Sequence, residues 1–139
     1  MSNGNAFFIQ ILLRAPDLQI NSINSLVMNN DQNKLLKALY DCSIACDQCF
    51  TGCLKTHDIH MMADCMRLNI ECAQLSRLTV TFIAQGSEYA PELADVCSDV
   101  CAACAQECEK HLHEHCVVCA QICRNCEEAC DNYSHSIAE

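Results

Sequence analysis

From residue 31 onward, residues suited to an interior recur at every third or fourth position, and polar residues fill the gaps between them. Spacings that alternate between three and four keep side chains on one face of an α-helix, because about 3.6 residues complete a turn. Four such stripes follow one another. The first reads Leu35, Leu39, Cys42, Cys46, Cys49, Cys53 and predicts a helix over roughly 31–56, with Asn30 and Asp31 as its capping signal. The second reads Met61, Cys65, Leu68 or Asn69, Cys72, Leu75 or Ser76, Thr79, Ile83, and predicts a helix from an Asp58 cap to about residue 85, stopped by Gly86. Pro91 suits the first turn of a third helix, with Glu92 and Asp95 near its positive end, that carries Cys97, Cys101, Cys104 and Cys108 to about His111. After a turn around Leu112 to Glu114, a fourth helix carries Cys116, Cys119, Cys123, Cys126 and Cys130 to about Ile137.

Four long helices with short connections predict an all-α fold, an antiparallel up-down-up-down four-helix bundle spanning 31–139. Residues 1–30 contain no cysteine and form an N-terminal extension. Phe8, Ile11 and Leu12 before Pro16, and Ile20, Ile23 and Val27 after it, predict one or two short helices or a partly ordered tail. The predicted topology puts the first and third connections at one end, gathering Cys53, His57, His60, Met61, Met62, Cys108, His111, His113, His115 and Cys116 there. Leu35, Leu39, Ile83, Leu93 and Ile137 fall at the other. One mouth is rich in soft and borderline ligands, and the opposite end is plugged with hydrocarbon.

Composition sharpens this picture. Only 3 Gly and 2 Pro favour helix throughout, and the 15 cysteines demand a chemical explanation. A secreted disulfide framework is a poor fit. The count is odd, and thiols stacked along one helix face project side by side where a disulfide needs converging Cβ vectors. The opening MSNGNAFFIQILLRAPD shows neither a basic n-region nor a cleavage motif, so a reducing cytoplasm is the expected location. A net charge of −10 excludes ordinary nucleic-acid binding, and no apolar run approaches the ~20 residues of a membrane span.

Cysteine can act as a small buried hydrophobe, but Ala, Leu or Val would fill three repeating ladders without the hazard of oxidation. As ligands the ladders make sense. Residues at i and i+4 have Cβ atoms ~5–6 Å apart, and two metal–thiolate bonds of ~2.3 Å span ~4.6 Å end to end. The pairs Cys42/Cys46, Cys49/Cys53, Cys97/Cys101, Cys104/Cys108, Cys119/Cys123 and Cys126/Cys130 each fit that span, while Cys65 and Cys72 stand apart on the second helix. Soft thiolates at low coordination number favour Cu(I), with on the order of ten ions per chain. Zinc is the competing metal, although its usual C-x2-C knuckles are missing, and the standard iron–sulfur spacings are missing too. A thiol redox or electron-transfer protein would need one or two activated cysteines. Nothing singles out one thiol here, which indicates capacity rather than catalysis, and the chain is read as no enzyme.

His111, His113 and His115 alternate beside two cysteines at the mouth and are candidate contacts for ions entering or leaving. Met61 and Met62 add candidate thioethers, whereas His57 and His135 read as surface filler.

The segments CDQCFTGC, DCMRLNIECA and CEKHLHEHCVVCAQIC carry a resemblance to the copper storage proteins, in particular their cytosolic branch, over about residues 38 to 134. The resemblance implies multiple Cu(I) ions along the bundle axis, a His- and Met-lined open mouth, exchange with copper donors and acceptors, and often a homotetramer. Two departures stand out. Ser76 follows Cys72 where the family commonly continues with cysteine, and Leu35 and Leu39 stand where some members carry further cysteines. Both imply fewer ions than the fullest members hold.

Overall fold

A computed structural model describes residues 9–10 and 28–137, so Phe8, Ile11, Leu12, Pro16, Ile20, Ile23 and Val27 lie outside the described residues. Within residues 28–137 four α-helices follow in order: α1 Asn30–Cys53, α2 Ala63–Ala84, α3 Ala90–Cys108 and α4 Glu114–Ile137. A single 3-10 turn, Ile59–Met62, precedes α2, and no strand occurs among the described residues.

Contacts between sulfurs fix the topology. Cys53 and Cys49 of α1 meet Cys65 of α2, whereas Cys42 meets Cys72, so numbers fall on one helix as they rise on the other. The pairs Cys65 with Cys108 and Cys72 with Cys101 set α2 against α3 in the same antiparallel sense. Cys49 with Cys116, and Cys42 with Cys123, close the ring between α1 and α4. The result is the up-down-up-down bundle expected from the stripes.

Three boundaries differ from the sequence expectation. α1 ends at Cys53 rather than near 56, because the Thr56 hydroxyl donates to the Cys53 carbonyl at 2.8 Å and closes the last turn. Asp58 makes no side-chain capping bond, and α2 proper starts only at Ala63. The intervening 3-10 turn advances with about three residues per turn, which shifts the phase. Met61 therefore faces out, at 71% exposed, and Met62 turns in, at 2%. At the far ends, Gly86 adopts a positive φ of 64°, and the Ser87 amide reaches back to the Phe82 carbonyl at 3.0 Å in a Schellman arrangement.

The plugged end is narrower than expected. Leu35, Leu39 and Ile83 are buried, joined by Ala90 and Ala94, but Leu93 is only half-buried and Ile137 is exposed. α4 has 24 residues against 19 in its hairpin partner α3, so its last turn, with Ile137, runs past the packed interior.

Candidate metal centre

Every one of the 15 cysteines is a free thiol and none is more than 1% exposed. Their sulfurs form a continuous column down the bundle axis. The closest contacts are Cys42–Cys72, Cys65–Cys108 and Cys72–Cys101, each 3.6 Å, with Cys46–Cys123 at 3.7 Å. All four join different helices. Among the six i, i+4 pairs, Cys119–Cys123 at 3.8 Å and Cys126–Cys130 at 4.0 Å come into sulfur contact within one helix. The ladders supply the thiols, and helix packing assembles them into groups.

Two four-sulfur groups are well defined. Cys42, Cys46, Cys72 and Cys123 sit mid-column, while Cys49, Cys53, Cys65 and Cys116 sit at the mouth, with all sulfurs in each group within 4.8 Å of one another. A third, Cys46, Cys104, Cys119 and Cys123, shares members with the first, and Cys42, Cys101 and Cys126 extend the array towards the plug. Shared members make this a chain of overlapping sites. Cys65 and Cys72, isolated in sequence, are drawn fully into it.

Asn69 belongs to the same interior although its residue type gave no sign of it. It is completely buried, its Oδ1 accepts from the thiols of Cys104 at 3.5 Å and Cys119 at 3.6 Å, and its amide nitrogen faces Cys65 at 3.7 Å. It places a neutral oxygen donor between sulfurs. The spacing of α2 allowed either Leu68 or Asn69 inward, and the polar choice is the one that thiol neighbours can satisfy.

Burial governs two of the mouth thiols, Cys53 and Cys116. Loss of water around the sulfur pushes the Cys53 thiol up to about 11 and raises that of Cys116, with the neighbouring Cys49 adding to both. Metal binding at Cys53 and Cys116 must displace the protons that these two thiols hold.

The three histidines take different positions. His111 is half-buried and its Nε2 meets Glu107 at 3.2 Å; Lys110 foremost, and then His111, hold the Glu107 carboxyl below its usual range. His113 is exposed and stacks on His115, ring centres 5.2 Å apart and nearly parallel at 7°. The Nε2 of His115 is buried and has no hydrogen-bond partner. A buried imidazole nitrogen in that state leaves a lone pair or a proton unsatisfied, and a metal ion is one group that can fill it. His115 also shares a cleft of about 300 Å³ with Cys49, Ala45, Gln48, Glu114 and Val118. His57 and His60 are both exposed, in the connection before α2.

Fold and site together define a thiol-lined four-helix bundle built to hold soft metal ions. The chain belongs to the copper storage protein family, whose profile matches residues 28–135. An uncharacterized cysteine-rich protein of Bacillus subtilis is 41% identical over 81 residues, which cover 58% of this chain and 75% of that protein. The Cu(I)-bound copper storage protein BsCsp3 superimposes with a TM-score of 0.71 at 38% identity, covering 74% of this chain and 97% of its own. A copper storage protein from Streptomyces lividans loaded with 10 copper equivalents gives a TM-score of 0.73 at 31% identity, covering 76% and 84%. A second structure from that organism, described as a cytosolic copper storage protein with five coppers, gives the same score and identity over 76% and 92%.

Proposed function

We propose that this protein stores Cu(I) in the interior of its bundle, on the cysteine thiolates, with exchange at the end that carries Cys53, Met62, Cys116 and His115. Residues 31–139 form the storage domain and 1–30 an extension to it. The observation that carries the reading is the charge balance of the column. Its 15 thiols are contiguous and buried, and the buried polar side chains beside them among the described residues are Ser43, Asn69, Ser76, Thr79 and Ser98, all neutral. Among the described residues no buried Lys or Arg stands ready to offset excess thiolate charge.

That balance separates copper from zinc. A divalent ion on four thiolates leaves a net charge of about −2, and each uncompensated buried charge costs several kcal/mol. One monovalent ion replacing each thiol proton leaves the interior neutral, as it was before loading. Sulfur–sulfur distances of 3.6–3.8 Å would suit a tetrahedral zinc ion. The charge argument nevertheless outweighs the fit, and Cu(I) is preferred.

No thiol is set apart by exposure, which favours capacity over turnover and a non-enzymatic role. Among the described residues no helix is long and apolar enough to cross a membrane. Cu(I) persistence requires a reducing environment, which favours the cytosol, where copper donors and acceptors would be the exchange partners. Leu112, Val117 and Val118 are exposed and line one surface cleft, which supports association of copies of this chain. Anaerobic titration with Cu(I) against a competing chelator tests the reading. Uptake close to one ion per thiolate is expected, and saturation at one or two equivalents would overturn it.

A further inference from the structure

The inward stripe of α2 runs from the mouth to the plug as Cys65, Asn69, Cys72, Ser76, Thr79 and Ile83, all buried. Ser76 thus sits one helical turn beyond the last thiol of its helix, still inside the column. Buried hydroxyls on helices commonly bond to backbone carbonyls. Ser43 does so to Tyr40 at 2.8 Å, Thr79 to Leu75 at 2.8 Å, and Ser98 reaches across to Glu127 at 3.1 Å. Ser76 is different. It is 0% exposed, and its Oγ faces the sulfur of Cys97 at 3.8 Å. Cys97 has Cys101, Cys126 and Cys130 as thiol neighbours, and Cys126 lies 4.0 Å from Cys130. The plug begins next, because Thr79 has its hydroxyl engaged with its own helix and Ile83 is hydrocarbon.

We propose that Ser76 is the terminal donor of the column: its hydroxyl oxygen contributes to the coordination of Cu(I) held by Cys97, Cys126 and Cys130, and it makes those the most weakly bound ions. This rests on the Cu(I) storage reading and adds a site to it. The hydroxyl stays protonated and neutral, so it brings no charge that would call for a further monovalent ion. A thiolate at the same point would bring one. Oxygen is also a harder donor than sulfur, so the ions it touches have a less matched shell than those ringed by thiolates alone. Asn69 offers the same kind of neutral oxygen midway along, but it has sulfurs on several sides, while Ser76 has thiols on one side and the plug on the other.

The test compares the full chain with Ser76→Cys and Ser76→Ala by anaerobic Cu(I) titration, followed by stepwise removal with a Cu(I) chelator. Ser76→Cys is expected to take up about one further ion per chain and to lose the most easily removed class. Ser76→Ala is expected to keep the wild-type number within one ion and to surrender its weakest ions at several-fold lower chelator concentration. Removal curves that coincide for wild type and Ser76→Ala, or no gain in Ser76→Cys, overturn the proposal. Wild-type uptake of about ten or more ions alongside that failure leaves storage standing. Wild-type uptake of one or two removes the storage reading itself.

Discussion

The imidazole of His115 lies against Gly52 so closely that a β-carbon on that glycine would stand 2.5 Å from the ring's Cγ. Gly52 is helical with an ordinary backbone, so its presence is a matter of space rather than conformation. Alanine would raise helix propensity there by about 1 kcal/mol, yet it would drive the ring away from α1. Gly52→Ala is therefore expected to slow Cu(I) loading several-fold in stopped-flow mixing while leaving final capacity within one or two ions. Unchanged loading kinetics would remove His115 from the entry route.

Replacing His111, His113 and His115 together should likewise slow uptake and spare most capacity, because the sulfur groups they adjoin are complete without them. Stoichiometry at equilibrium checks this. A loss of capacity in proportion to the histidines removed would make them principal ligands.

The raised thiols of Cys53 and Cys116 set a pH dependence for the metal-free protein. In the unfolded chain a cysteine ionises near its ordinary value of about 8.5, whereas folded Cys53 holds its proton to about 11. Between those values the unfolded state binds fewer protons than the folded one, so stability falls as pH rises through that window and is fully present below it. Urea unfolding of the apo-protein at pH 7.5 and pH 10 should show the lower midpoint at pH 10. The copper-loaded protein, whose thiolates are already formed, should show little change.

Asn69→Asp places a carboxylate of nearly the same shape among buried thiols with no cation beside it. The apo bundle should lose about 3 kcal/mol or bind a proton at that carboxylate. A chemical denaturation series from pH 5 to pH 8 separates these outcomes. A variant as stable as wild type at pH 8 would mean that water reaches the interior at residue 69.

Loading should stabilise the fold and stripping should reverse the effect, because the unfolded chain lacks the assembled sulfur groups. Thermal unfolding of the loaded protein before and after anaerobic chelation is the measurement, with a lower midpoint expected after stripping.

The ladders on α1, α3 and α4 were legible in the sequence because a three-and-four spacing and one residue type report the same face. α2 was harder to read. The steps from Cys65 to Cys72 pass equally well through Leu68 or Asn69, and hydropathy alone favours leucine, whereas thiol neighbours accept the asparagine. Carrying the helical phase of α2 back predicts Met61 inward, but those residues form a 3-10 turn, and no Gly or Pro marks that change. The stripe of α4 predicts Ile137 in the plug, because nothing in a single stripe reveals that the partner helix ends sooner. The grouping of sulfurs across helices has no signature in any one segment. It arises only when four seams converge.

Leu35, Leu39 and Ile83 stopper one end of the column, and this has a consequence for the order of events. An ion lodged beside Cys97 has no way out except through the positions nearer the mouth, so the sites that hold copper least tightly at equilibrium are also the furthest from an acceptor, and the rate at which they empty is set by passage along the column.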